Sequence, residues 1–135
     1  MRQLVGLFFS TSIAPDAAAQ DRLRAAAAKF PADVAGFTGL PGERFVAYTL
    51  DGVPEAQKGS FDRIIVPRMM HNLYQRGIAD TELRAMRELL KDGGMLGIEQ
   101  HRAKADAPFS YANGTKGYMR QKDVIGLVEA MGFEL

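Results

Sequence analysis

Residues 61–73, FDRIIVPRMMHNL, read as an apolar strand, with Ile64, Ile65 and Val66 at its centre, running into a helix. At the junction stand Pro67, Arg68, Met69, Met70, His71 and Asn72. A strand that delivers so many polar and titratable groups at its carboxyl end is the pattern of an α/β protein with a site at that end, provided that its neighbours run parallel to it.

The flanking sequence predicts such neighbours. LVGLFF (4–9) is a six-residue apolar run followed by a polar turn, as a buried strand would be. PDAAAQDRLRAAAAKF (15–30) is alanine-rich, with Pro15 suited to the first turn and Asp16 to the positive end of the dipole; Pro31 is expected to stop this helix. FTGLPGERF is turn chemistry, and FVAYTL (45–50) alternates like a strand. LDGVPEAQKGS then makes a loop. In TELRAMRELLKDGG, Leu83, Met86, Leu89 and Leu90 share one helical face, with Asp80 or Thr81 as cap and Gly93 as a left-handed stop. GMLGIEQ (94–100) reads as a short buried strand. A long polar loop follows; then QKDVIGLVEAMG places Val124, Ile125, Val128 and Met131 on a helical face that ends at Gly132, and FEL opens one more strand. Apolar strands alternating with helices predict a parallel sheet covered on both faces, in one domain over residues 1–135.

Bulk properties exclude several classes. Hydrophobic residues make up 47% and charged residues 24%, ordinary for a globular chain. Seventeen basic and sixteen acidic side chains leave a net charge of +1, which disfavours nucleic acid as a partner. With no cysteine there is no disulfide, thiolate site or cysteine nucleophile. No apolar run approaches the roughly 20 residues of a membrane span. The expected compartment is the cytoplasm; the alternative is export, if residues 1–20, basic then apolar then alanine-rich, are a signal peptide.

In a parallel sheet two strand ends would share one rim. The end of FDRIIV carries Arg68, His71 and Asn72; the end of GMLGIEQ carries Glu99, His101 and Arg102, so both histidines of the chain fall there. His71 is either a functional base or a structural cap on the following helix. Glu99, His101 and His71 include metal-ligating types, but nothing in the sequence fixes a third close ligand, and no metal is expected. Met69 and Met70 suit core or pocket lining. Asp51, after the second strand, is either a ligand contact or part of an Asp-Gly turn. Asp62, at the opposite rim, reads as a turn residue.

Three stretches together, GSFDRIIVPRMMHNL, LRAMRELLKDGGMLGIEQHRA and KGYMRQKDVIGLVEAMGFEL, resemble the carboxyl-terminal two-thirds of a class I S-adenosylmethionine-dependent methyltransferase. The likeness is to a predicted bacterial small-molecule group marked by HN after the fourth strand and EHR-like residues after the fifth. It covers residues 45–135. It implies a Rossmann-like, mostly parallel sheet with helices on both faces, in a shortened version, with S-adenosylmethionine as cofactor and a small molecule as methyl acceptor. Carried over residue by residue, it implies cofactor contacts at Asp51, Gly52, Val53, Arg68, Met69 and Met70. Acceptor contacts would fall at Asn72, His101, Arg102 and Tyr118, with His71 or Glu99 removing the acceptor proton; positioning for in-line displacement supplies most of the acceleration.

The chain departs from the family's pattern at its start. No glycine-rich loop follows the first strand, and LVGLFF has its one glycine inside the strand. One alignment makes LVGLFF the family's second strand, with the first absent and the chain ending as the sixth begins. The other places it in the central slot, with STSIAP as a degenerate loop. Two further functions stand beside methyl transfer. One is a non-catalytic module that dimerises through an open sheet edge or slot. The other is a small α/β hydrolase using His71 as base, although the chain lacks a G-x-S-x-G elbow.

Overall fold

The computed structural model describes residues 5–9, 14 and 16–135. They form a mixed α/β protein in two compact units, Met1–Pro54 and Glu55–Leu135.

In the first unit β1 (Val5–Phe9) and β2 (Phe45–Thr49) pair in parallel, from Val5 opposite Phe45 to Phe9 opposite Thr49. The crossover is α1 (Ala17–Thr38), which packs on β2. Asp16 caps α1: its backbone is extended and its carboxylate accepts from the Ala19 amide at 2.8 Å, satisfying one of the helix's orphan donors. Pro31 does not stop the helix. It sits inside α1, which runs on to Thr38 and ends at Gly39, left-handed with φ 68°. The missing proline amide costs a hydrogen bond, but strong alanine propensity on its amino-terminal side and packing on β2 carry the helix past it. Residues 10–13 and 15, and with them most of STSIAP, lie outside the described residues. Of the signal-peptide reading of residues 1–20, the described part is β1 and the start of α1.

The second unit repeats the crossover logic. β3 (Phe61–Pro67) leads into α2 (Met70–Gln75) and α3 (Ala79–Leu89), and β4 (Leu90–Glu99) returns parallel to β3. The register runs from Arg63 opposite Met95 to Pro67 opposite Glu99. A bulge separates this run from the pair Phe61–Leu90, so Asp62 alone stands against residues 91–94, where Gly93 takes φ 73°. Met70, Leu73 and Leu83 are fully buried, and Phe61, Ile64, Val66, Met86 and Leu89 are also buried in this unit. Each such side chain contributes about 1.5–3 kcal/mol by leaving water. After β4 come β5 (Arg102–Ala103), α4 (Phe109–Ala112), β6 (Met119–Arg120) and α5 (Gln121–Ala130), with β5 and β6 parallel.

Several expectations need correction. The described strands make three two-stranded sheets, not one continuous sheet. β3 is not buried on both faces: Phe61, Ile64 and Val66 are covered, while Ile65 is 67% exposed. In β4 only Leu90 is buried. α3 starts at Ala79, with Ile78 at the cap position and no side-chain cap. Asp80 instead lies in the first turn, where the dipole favours it. Residues 133–135 have no regular structure. Asp62 is a strand residue, not a turn residue, and its carboxylate pairs with Lys91 across the bulge.

Candidate functional site

Because β3 and β4 are adjacent and parallel, their carboxyl ends meet at one rim of the second unit. The chain turns sharply there: Arg68 takes φ 48°, a left-handed conformation uncommon for a residue with a Cβ. Its amide donates to the Glu99 carbonyl at 2.7 Å, so the last ladder bond of the pair fixes the turn. Strained backbone at a strand end feeding a helix is a frequent companion of function. α2 then presents His71 and Asn72, both half-buried, while the Asn72 amide reaches the Met69 sulfur at 3.6 Å.

One side chain ties three segments together. Gln100 Oε1 accepts from the His71 backbone amide at 3.3 Å and lies 3.2 Å from His71 Nδ1, while Gln100 Nε2 donates to the Gly117 carbonyl at 2.7 Å. The loop at residues 113–118 also packs against α2 through Gly114. At Gly114, with φ 91°, a Cβ would stand 3.2 Å from both Cβ and the carbonyl oxygen of His71. That loop closes on itself by a Gly114 amide to Tyr118 carbonyl bond of 3.0 Å, and the Met119 amide donates to the His101 carbonyl at 3.2 Å.

Beyond His71 lies a row of rings. His101 and Tyr118 have centroids 5.8 Å apart; Tyr118 and Tyr111 stack at 5.7 Å and 24°; Lys116 Nζ lies 5.1 Å over the Tyr111 ring. Such spacings are attractive for aromatic pairs and for a cation on a ring face. Tyr111 and Tyr118, with Arg102, Lys104, Asp106 and Pro108, line a cavity of about 430 Å³, within the range of small-molecule sites. Arg102 is steadied by a 2.7 Å bond from Nη1 to Gln121 Oε1. Glu99 points an exposed side chain from the same rim.

The predicted acceptor-side residues Asn72, His101, Arg102 and Tyr118 thus share one unit with His71 and Glu99. The predicted cofactor residues are divided between the two units. Met70 is fully buried in the core and presents no surface to a ligand. Asp51, Gly52 and Val53 belong to the first unit, in and after a 3₁₀ turn at Leu50–Gly52. Asp51 lies 4.0 Å from Arg24 Nη2, Val53 is buried, and a Cβ on Gly52 would stand 2.8 Å from Thr49 Oγ1, so that glycine serves its own turn. Arg68 and Met69 alone remain accessible at the rim.

Gln100, Tyr111 and Gly114 are absent from the sequence reading. Gln100 had a signal: strand alternation sends the residue after Glu99 to the opposite face, and that face meets α2. Tyr111 and Gly114 had none, because the fold of residues 104–118 depends on tertiary contacts. Among the described residues no group of three or more His, Asp or Glu side chains could hold a metal, and no helix is long and apolar enough to cross a membrane. No protein-family model, curated protein or solved structure matches the chain.

Proposed function

We propose that the chain is a methyltransferase-like protein acting on a small molecule, with Glu55–Leu135 supplying the acceptor side of a Rossmann-like arrangement. The observation that carries this reading is the meeting of residues 68–72 and 99–102 at the carboxyl ends of two paired parallel strands, beside a cavity lined by Arg102, Tyr111 and Tyr118. Ligands of open α/β sheets bind at such ends. The sequence likeness supplies the reaction class. In this role Tyr118 and Tyr111 offer ring faces to a planar acceptor, Arg102 and Lys104 favour a negative substituent, and His71 or Glu99 takes the acceptor proton. A positioned base of this kind contributes about 10²–10⁴-fold.

Incubation of the full chain with S-adenosylmethionine and a panel of small phenols, aromatic carboxylates and amines tests the proposal by the appearance of S-adenosylhomocysteine. Product is expected with at least one planar acceptor, reduced about 10²–10⁴-fold in His71→Ala if His71 is the base. Absence of product across the panel, with no cofactor binding by calorimetry, overturns the reading.

A second reading, a dimerising module, is favoured by one surface. Ile65 is 67% and Met95 54% exposed, and the register puts both on the same face of the β3–β4 pair. Size-exclusion chromatography over a concentration series separates the two: a stable dimer dissociated by Ile65→Lys supports the module, and a monomer at all concentrations removes it.

A further inference from the structure

We infer that Gln100 is a positioning residue that locks the neutral His71 ring in the Nδ1–H tautomer, leaving the Nε2 lone pair as the base. The tautomer follows from two groups that have no choice of role. The His71 backbone amide can only donate, and it faces Gln100 Oε1 at 3.3 Å; the Gly117 carbonyl can only accept, and it faces Gln100 Nε2 at 2.7 Å. Reversing the Gln100 amide would set oxygen against oxygen and N–H against N–H, so its orientation is fixed. The ring nitrogen 3.2 Å from Oε1 therefore meets an acceptor and must carry a hydrogen. In the neutral ring the other nitrogen is then unprotonated, and it has no hydrogen-bonding partner among the described residues.

Gly114 packs against Cβ and the carbonyl of His71, in a space that any Cβ would crowd. The Gly117 carbonyl that orients Gln100 belongs to the same loop as Tyr118, which lines the cavity. One loop thus carries a wall of the site and the group that sets the proton on its base. This is the second-layer role that partners of functional histidines commonly play. Unconstrained histidine prefers the Nε2–H form, so the contact has to reverse that preference. The role of Nε2 as base rests on the methyltransferase-like reading; the tautomer does not.

Two-bond ¹H–¹⁵N correlation spectra of the full chain, with His71 distinguished from His101 by His71→Ala, read the tautomer directly. A net hydrogen bond of ordinary strength is expected to shift the tautomer balance of the neutral His71 ring about fivefold toward Nδ1–H relative to a protein without the Gln100 acceptor, enough to make Nδ1–H the major form. In Gln100→Leu the ring is expected to revert to Nε2–H. Gln100→Glu, which keeps an acceptor at Oε1, is expected to retain Nδ1–H. An Nε2–H ring in the unaltered protein overturns the inference whether or not the variants fold, and so does a Gln100→Leu spectrum with the tautomer unchanged. Methyl transfer and tautomer fail separately. An Nδ1–H ring with no methyl transfer sinks only the functional reading, and an Nε2–H ring with active transfer sinks only the role of Gln100.

Discussion

The two units use the same strand–helix–strand plan to different ends. Met1–Pro54 is held by a long alanine-rich helix on two parallel strands, and its buried side chains among the described residues, Ala19, Ala27, Phe45, Thr49 and Val53, each keep some exposure. Glu55–Leu135 has the fully buried Met70, Leu73 and Leu83 beneath a rim where amide, imidazole and carbonyl groups interlock. A polar network can hold its geometry only on a floor that does not move, and the large side chains provide that floor. The rim chemistry and the tight core therefore occur in the same unit.

The contrast can be broken most forcefully at Leu83, which lies on α3 and has no exposed surface. Leu83→Ala is expected to lose about 2–5 kcal/mol in denaturant unfolding, because the rigid surroundings collapse only partly into the cavity. A loss under 1 kcal/mol would mean that the second unit is no more tightly packed than the first. In the first unit the expected sign is opposite. Pro31→Ala restores a backbone donor inside α1, and a gain of up to about 3 kcal/mol, with more helical circular dichroism, should follow. A loss would show that the proline ring itself packs.

A smaller effect tests whether the rim depends on its loop. Gly114→Ala forces a Cβ into a left-handed backbone 3.2 Å from His71, for an expected cost of about 1–3 kcal/mol, together with a change in the His71 ring resonances. The smallest lies at the other end of β3. The Lys91 ammonium, chiefly by hydrogen bonding and then by charge, holds the Asp62 carboxyl below its ordinary value of 3.8. A depressed carboxyl stabilises the fold above its unfolded pKa, and that contribution is lost as pH falls through the lowered value. Lys91→Ala should return the Asp62 titration toward 3.8 and flatten the acid limb of stability. As both side chains are largely exposed, the change at neutral pH should be slight.

Much of this architecture was legible in the sequence, for physical reasons. The strands at residues 5–9, 45–49 and 61–67 and the helix at 79–89 announce themselves by apolar period. Gly93, however, is not the stop of that helix: α3 ends at Leu89, Leu90 is already extended, and Gly93 lies in β4. The parallel sense of β3 and β4 followed from the helices between them, and so did the shared rim of His71 and Glu99. What stayed hidden was tertiary. Pro31 lies inside α1 because propensity and packing outweigh one lost bond. The second face of β3 stays open, which no local pattern of Ile64, Ile65 and Val66 could reveal. Gln100, between Glu99 and His101, carries no charge, and its role lies in the His71 and Gly117 groups that it touches, which only the tertiary fold brings together.

The account stands on the carboxyl ends of β3 and β4 being where a ligand binds. Backbone amide spectra of the full ¹⁵N-labelled chain titrated with S-adenosylmethionine test this directly. Shifts centred on residues 68–72 and 99–102, extending to Tyr118, are the predicted result. Shifts confined to the opposite rim, at residues 61–63 and 90–94, or no shift at millimolar cofactor, would contradict it.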